Sequence, residues 1–160
     1  MTEGAGGPRV GLGFDVHPWA PGRALRLAGV LFEGEDGLAG HSDGDAVCHA
    51  LADALLGAAG LGDVGEHFPD TDPATAGIGG LDLLAATVAL VRGAGHAPSS
   101  CDLTVICERP AIAPAREEVR ARLAAALDLP AGRVSVKATR PEGLGLSGDG
   151  VGCLAVAVLT

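Results

Sequence analysis

The order of apolar and polar positions along the chain predicts strands and helices in alternation. Short apolar segments bounded by turn residues are typical of strands, and they occur at 9–17, 24–33, 101–107, 133–139 and 153–159. The 24–33 segment is expected to form two short strands around Ala28 and Gly29. Segments rich in Ala and Leu predict helices at 45–60, 81–94 and 114–127. This alternation favours an α/β domain with a mostly four-stranded sheet.

Two of the predicted strands contain nearly continuous apolar segments, which bears on how the sheet is covered. "LTVIC" and "CLAVAVL" are expected to be buried on both faces. Three helices suffice for one face, so a symmetric copy of the chain is expected to cover the other. We find no internal repeat or domain boundary, which predicts a flexible tail at 1–8 and one domain at 9–160.

The net charge and the cysteine positions limit which kinds of partner, and which cellular location, are expected. The formal net charge is −9, which argues against a nucleic-acid or anionic-membrane surface, since both need a basic face. No apolar run approaches the ~20 residues of a membrane helix. The four cysteines lie in apolar segments without a C-x-x-C pair, and the N-terminus is not signal-like. We therefore expect buried free thiols, not zinc or disulfide cysteines, and a cytoplasmic location.

A carboxylate and an imidazole lie two positions apart in the first predicted strand. Asp15 and His17 of "GFDVHPWAP" should point to the same face, because strand side chains alternate. His49 on the first helix is the third candidate. Two imidazoles and one carboxylate make a three-ligand zinc site with an open fourth position, which is the catalytic arrangement.

The polar positions of the first helix allow two interpretations. Asp45, His49 and Asp53 recur at i, i+4 and i+8, and they form one stripe on an otherwise apolar helix. The stripe is either a solvated outer face or part of the metal site. No Lys, Glu or Arg occurs at 45–60, which favours the metal site. Asp45 or Asp53 would then accept a hydrogen bond from the free ring nitrogen of His49.

Two loops carry further candidate residues. Ser42 or Asp43 of "GHSDGD" is available as a helix N-cap, and the same loop could bind an anion with His41 as an added donor. Asp70 and Asp72 of "FPDTD" either bind sugar hydroxyls or simply turn the chain. The segment 62–80 is too rich in Gly, Pro and Asp for regular structure, and so long a loop is often functional.

Four motifs, taken together, make the sequence resemble one known protein family. "GFDVH", "HSDGDAVCHALADALLGAAGLGDVG", "FPDTDP" and "VKAT" followed by "EGLG" occur in this order. From Arg9 to Leu159 the chain resembles the family of 2-C-methyl-D-erythritol 2,4-cyclodiphosphate synthases. The resemblance implies a homotrimer whose sheets face the threefold axis, with helices outside and active sites between neighbouring subunits.

The resemblance also implies a role for individual residues. One subunit is expected to bind zinc through Asp15, His17 and His49. Residues expected to hold the diphosphate and sugar are His41, Ser42, Asp63, Gly65 and Asp70, of which His41 and Asp63 are expected to be catalytic. The neighbouring subunit is expected to supply the cytidine pocket from Cys107, Pro110, Ala111, Ile112, Ala113, Lys137, Ala138, Thr139 and Arg140. Glu142 is expected to be catalytic by binding Mg²⁺ or Mn²⁺ on the two phosphates.

The implied reaction is an intramolecular cyclisation in non-mevalonate isoprenoid biosynthesis. The 2-phosphate of 4-diphosphocytidyl-2-C-methyl-D-erythritol 2-phosphate attacks the β-phosphorus, and CMP leaves. A phosphate monoester has its second pKa near ~6, so it is an anionic nucleophile at neutral pH without a base. Two divalent cations would offset anion repulsion in this acidic chain. The alternatives are a homologue with weakened cytidine recognition and a metal-dependent phosphohydrolase, for which no base is evident.

The sequence departs from the family pattern near the expected ligands. Arg140 and Pro141 stand where the family usually has Thr-Thr, so a phosphate-binding hydroxyl is missing and a guanidinium could replace it. Ala111 stands where Lys is frequent beside the cytidine, and Gly80 where Ser is usual.

A second group of departures falls near the expected threefold axis. Asp149 and Val151 occupy positions where the family often has Arg and Glu. Some relatives bind isoprenoid diphosphates in the central cavity, and replacing Arg with Asp makes such binding unexpected here.

Overall fold

The computed structural model describes residues 6–145 and 149–160, so most of the predicted flexible tail lies outside the described residues. The strands are β1 Arg9–Leu27, β2 Val30–Leu38, β3 Pro98–Cys107, β4 Val134–Thr139 and β5 Gly150–Leu159. The helices are α1 Ala46–Ala59, α2 Val64–His67, α3 Gly80–Gly93 and α4 Arg116–Leu127. Short 3₁₀ turns occupy Pro73–Thr75, Ala113–Ala115 and Ala131–Arg133. None of the described helices is long and apolar enough to cross a membrane.

The sheet has five strands in the order β2-β1-β5-β3-β4, so the four-stranded prediction is wrong. The difference comes from β1, which continues ten residues past His17. Its first half pairs antiparallel with β5 up to Pro18, and its second half pairs with β2 from Trp19 onward. Pro18 has no N–H and suggests a strand end, but the Trp19 N–H donates to Asp149 O at 2.9 Å and the strand continues.

The predicted turn at Ala28 and Gly29 is confirmed. Both residues have positive φ, 50° and 71°, and Leu27 pairs with Val30 across them. Two left-handed residues are the geometry that matches a tight hairpin to the twist of its strands. This turn makes β1 and β2 one hairpin.

Two glycines bring α1 unusually close to β1. A Cβ built on Gly13 would lie 1.9 Å from Ala50 O, and one on Gly11 would lie 1.9 Å from Ala54 O. The helix backbone therefore rests directly on the strand, and most residues of α1 are buried. Even Asp45 at its start has no exposed surface, so the interpretation of the polar stripe as a solvated face is wrong.

The helices cover one face of the sheet only. The opposite face exposes apolar side chains, with Val10 at 66%, Leu12 at 65% and Phe14 at 46% exposure on β1. Leu154 on β5 is 40% exposed. Burial on both faces is therefore not achieved within one chain, and the uncovered side is here called the open face.

The segment 62–80 contains more regular structure than its composition predicts. Asp63 caps α2 by accepting from the Glu66 N–H at 3.0 Å, and Asp72 accepts from the Ala74 N–H at 2.9 Å. Asp72 thus turns the chain. Elements of three and four residues are too short to show a hydrophobic period, which is why the sequence pattern did not predict them.

Candidate metal centre and substrate pockets

Asp15, His17 and His49 meet at one point between β1 and α1. Asp15 Oδ2 lies 2.7 Å from His17 Nε2 and 3.4 Å from His49 Nδ1, and the two nitrogens are 3.2 Å apart. Asp15 and His17 share the β1 face that carries Gly13 and packs on α1. Among the described residues this is the one group of three His, Cys, Asp or Glu side chains close enough to hold a metal ion.

Hydrogen bonds on the far side of each imidazole orient the two rings. His17 Nδ1 donates to Ala39 O at 2.6 Å, so Nε2 is left to face the cluster. His49 Nε2 lies 3.1 Å from Ser42 Oγ, which can accept its proton and leave Nδ1 facing the cluster. With these tautomers, two nitrogen lone pairs and a carboxylate oxygen converge, as metal ligands held by outer hydrogen bonds do.

The electrostatics of the cluster favour a positive charge at its centre. Asp15 Oδ2 is a buried oxygen without a hydrogen-bond partner. Burial alone would raise the pKa of Asp15, but interactions with His17 and His49 lower it to about 2. Contact with Asp15 raises the pKa of His17, against the opposing effect of burial. A proton or a metal cation satisfies the carboxylate, so the residues fit a divalent ion.

Asp45 and Asp53, four residues before and after His49, make different contacts from those predicted. Asp45 caps α1 through the Cys48 N–H at 3.1 Å and also accepts from the N–H groups of Ala28 and Gly29, both at 2.9 Å. Burial raises the Asp45 pKa, and these N–H groups oppose that rise. The predicted contact of Asp45 or Asp53 with His49 is therefore wrong, because Ser42 occupies that place.

Asp53 reaches away from the metal cluster. Its Oδ1 accepts from the Val64 N–H at 2.8 Å, which ties the start of α2 to α1. Desolvation raises the Asp53 pKa, and the Val64 N–H partly counteracts this. Asp53 thus fixes the helix that borders the cleft without contacting a candidate ligand.

The loop before α1 is folded by side-chain contacts, and neither Ser42 nor Asp43 is the N-cap. Asp43 accepts from the Asp45 N–H at 3.0 Å and from the Gly80 N–H at 2.9 Å, so it supports the start of α3. Gly80 suits this contact because an added Cβ would lie 2.6 Å from the Asp45 Cβ. Close packing against Asp45 therefore explains why position 80 is Gly in this chain and not Ser.

A cleft of about 200 Å³ opens beside the metal cluster, and we call it the metal-side cleft. Four residues predicted to hold substrate line it: His41, Ser42, Gly65 and Asp70. Asp63 directly precedes the lining residues Val64 and Gly65 in sequence, and its side chain caps α2. The sequence did not predict the remaining, mostly apolar walls, which are Val64, Phe68, Thr75, Ile78 and Leu83.

A second pocket of about 250 Å³ lies at the ends of β3 and β4, and we call it the β3–β4 pocket. Predicted cytidine-side residues that line it are Cys107, Pro110, Ala111, Ile112, Ala113, Ala138, Thr139 and Arg140. Glu108, between the predicted residues Cys107 and Pro110, also lines it, and Arg116 was missed because a single surface charge forms no motif. The two pockets have no lining residue in common.

Two of the predicted nucleotide-side residues lie elsewhere. Lys137 Nζ donates to Asp102 Oδ2 at 2.5 Å, and both side chains are about half exposed. Glu142 is exposed with a left-handed φ of 52°, and it lines neither pocket. Within the described part of the chain, Glu142 belongs to no group of potential metal ligands.

Comparison with known proteins identifies the family. The sequence profile of the YgbB family matches residues 8–160. The chain belongs to the YgbB family. The resemblance drawn from the four motifs is confirmed.

Named relatives of this YgbB chain come from several bacteria. A 2-C-methyl-D-erythritol 2,4-cyclodiphosphate synthase of Symbiobacterium thermophilum is 51% identical over 94% of this chain and 97% of its own length. A bifunctional enzyme IspD/IspF of an Anaeromyxobacter species is 54% identical over 93% of this chain. The chain spans only 38% of that bifunctional protein.

Solved structures share the YgbB fold described here. A 2C-methyl-D-erythritol-2,4-cyclodiphosphate synthase has a TM-score of 0.89 and 39% identity, covering 95% of this chain and all of its own. Its CDP-bound form has a TM-score of 0.88 and 38% identity, with the same coverage. The bifunctional IspDF of Campylobacter jejuni has a TM-score of 0.89 and 38% identity, covering 96% of this chain and 42% of its own.

Proposed function

We propose that this chain converts 4-diphosphocytidyl-2-C-methyl-D-erythritol 2-phosphate to 2-C-methyl-D-erythritol 2,4-cyclodiphosphate and CMP. This makes it a phosphorus–oxygen lyase of non-mevalonate isoprenoid biosynthesis. The convergence of Asp15, His17 and His49 beside a cleft carries the proposal. The likeness to the S. thermophilum synthase over nearly its whole length supports it.

The metal that these three residues would hold is zinc. Two imidazole nitrogens and one carboxylate oxygen are the ligands of catalytic zinc sites, which keep one position open. When bound, zinc would supply Lewis-acid stabilisation of charge on a phosphate oxygen. The four cysteines are buried and free, so none competes as a thiolate ligand, and this also supports a cytoplasmic location.

Residues of the metal-side cleft would bind and orient the phosphates and sugar. Ser42 orients His49, and exposed His41 beside it can donate to a phosphate oxygen. Gly65 and Asp70 would face the sugar, with Asp63 holding α2 in place through its cap. The 2-phosphate is already anionic, so it attacks the β-phosphorus without a protein base, and the electron pair of the broken bond leaves with CMP. The main task of the chain is orientation.

The β3–β4 pocket would bind the cytidine of the cytidine-diphosphate sugar-alcohol substrate. Its loop offers apolar side chains and backbone groups to a base, and Arg140 and Arg116 add positive charge for phosphate. Arg140 would thus replace the missing hydroxyl with a guanidinium, and Lys137 would contribute from the adjoining strand. Glu142 follows this wall and would hold Mg²⁺ or Mn²⁺ on the two phosphates.

Changing Glu142 to Gln should weaken the use of Mg²⁺ and leave zinc in place. The amide is a poorer ligand than a carboxylate, so the Mg²⁺ concentration for half-maximal rate should rise about tenfold or more. Titration of turnover with Mg²⁺ measures this, with Glu33→Gln on β2 as the matched control. Superimposable Mg²⁺ curves for Glu142→Gln and the unaltered protein would refute the role of Glu142.

We infer that the working form is a homotrimer with active sites between subunits. The open face presents contiguous apolar side chains on β1 and β5, and such patches mark protein interfaces. The two pockets of one chain share no residue, so pairing the metal-side cleft of one subunit with the β3–β4 pocket of its neighbour would complete each site.

Changing Leu12 to Glu should dissociate the trimer and lower turnover at least about a hundredfold, because the site loses its second half. Leu12 is 65% exposed on the open face and is not a candidate ligand. Light scattering gives the mass, and metal analysis should still find zinc. Leu90→Glu on α3, also an exposed leucine, should remain trimeric and active. A trimeric, fully active Leu12→Glu protein would contradict this arrangement.

A single incubation tests the proposed reaction. The protein is supplied with the cytidylated substrate and Mg²⁺, and ³¹P NMR identifies the products. Cyclic diphosphate with CMP supports the synthase. No turnover in zinc-loaded protein would indicate a homologue with weakened cytidine recognition, and linear hydrolysis products would indicate a phosphohydrolase.

A further inference from the structure

Arg109 lies in the loop of the β3–β4 pocket, but its side chain binds elsewhere. Its neighbours Glu108 and Pro110 line the pocket, whereas Arg109 does not. The Arg109 guanidinium lies over the Trp19 ring, 4.3 Å from its centroid. It also donates to Asp36 Oδ2 at 3.0 Å and forms an ion pair with Glu35. One side chain thus ties the pocket loop to the β1–β2 hairpin.

Few other hydrogen bonds hold this loop among the described residues. Among the described residues outside regular elements, Ile112 O accepts from the Ala115 N–H at 3.0 Å, and the Cys107 thiol approaches Pro110 O at 3.6 Å. Pro110 has no N–H to donate. Ile112 is buried and anchors the far end. Arg109 therefore makes most of the polar side-chain contacts of the segment between Cys107 and Ile112.

Beside Trp19, strand pairing and backbone hydrogen bonds hold the hairpin that receives Arg109. Trp19 pairs with Leu38 across β1 and β2, and the Ala39 N–H donates to Pro18 O at 2.9 Å. Ala39 O in turn accepts from His17 Nδ1. The loop is thus fixed to the segment that also orients a candidate metal ligand.

We propose that Arg109 is a positioning residue for nucleotide binding in the β3–β4 pocket. Individual exposed ion pairs are weak. Here a planar guanidinium is held by two carboxylates and an aromatic face at once, which restricts its rotation and that of the loop. Without Arg109 the ligand must order the loop when it binds. The free energy spent on that ordering lowers the affinity. The inference rests on the proposed function, because the ligand is a cytidine nucleotide.

The test is the affinity of the zinc-loaded protein for CDP, measured by calorimetry. Arg109→Gln should weaken CDP binding about tenfold. Arg92→Gln, which removes an exposed pair with Asp128 on the helical side, should leave the affinity within about twofold. With substrate, Arg109→Gln should raise KM and leave kcat nearly unchanged, a division that general destabilisation would not produce.

A double-mutant cycle separates positioning from direct contact. If Arg109 acts through the hairpin, the combined change Glu35→Gln and Asp36→Asn should weaken CDP binding and add little to Arg109→Gln. Fully additive losses would show that Arg109 acts on the nucleotide directly and would overturn the proposal.

The outcomes distinguish this inference from the proposed function. If the unaltered protein binds CDP and Arg109→Gln binds within twofold of it, the inference alone is wrong. If the unaltered protein does not bind CDP, the proposed function fails and the inference fails with it.

Discussion

Replacing His49 with Ala should abolish turnover while leaving the chain folded. The change removes one of three converging ligands and leaves Asp15 and His17 as an incomplete set. Zinc held by two ligands dissociates readily, and turnover should fall at least about a thousandfold because charge at the reacting phosphate is no longer offset. Zinc content by mass spectrometry and turnover by ³¹P NMR measure both effects.

The matched control is a histidine outside both the metal-side cleft and the β3–β4 pocket. His96→Ala removes an imidazole next to the chain end, where it lines a separate depression with Arg9 and Thr160. This variant should keep its zinc and its full rate. A His49→Ala sample that is demonstrably free of zinc and fully active would refute the metal role.

Replacing Gly13 with Ala should destabilise the fold more than any surface change. The added Cβ would lie 1.9 Å from Ala50 O and 2.7 Å from Ala54 N, and both atoms belong to the α1 backbone. No side-chain rotation relieves such a clash, so β1 and α1 must separate. We expect the free energy of unfolding to fall by about 3 kcal/mol. Because Asp15 and His49 lie on these two elements, zinc affinity should fall too.

Gly57 provides the matched glycine control. It lies in α1, and an added Cβ would have no atom within 4 Å. Gly57→Ala should therefore raise the free energy of unfolding by up to about 1 kcal/mol, since Ala favours a helix. Urea denaturation followed by circular dichroism compares both variants. Equal midpoints for Gly13→Ala and the unaltered protein would contradict the close packing of β1 on α1.

The metal centre was the most predictable part of the molecule. A period of two residues in a strand places Asp15 and His17 on one face, and a helix without long charged side chains points to burial of His49. The family pattern then supplied part of the lining of both pockets. These inferences depend on local period and residue type, which the sequence shows directly.

The partners of the ligands were not predictable in the same way. Ser42, not an aspartate, contacts His49, because Asp45 is occupied by the N–H groups of the β1–β2 turn. That turn is distant in sequence, so its contact depends on the tertiary fold. For the same reason β1 continued past Pro18, where pairing with β5 and β2 outweighed a local stop signal.

Diffraction at the zinc absorption edge, from crystals grown with zinc and CDP, tests the central claim most directly. We predict an anomalous peak in contact with Asp15 Oδ2, His17 Nε2 and His49 Nδ1, with the remaining position open to a ligand from the cleft. A peak elsewhere, or zinc enclosed there by a fourth side chain of the protein, would contradict the account.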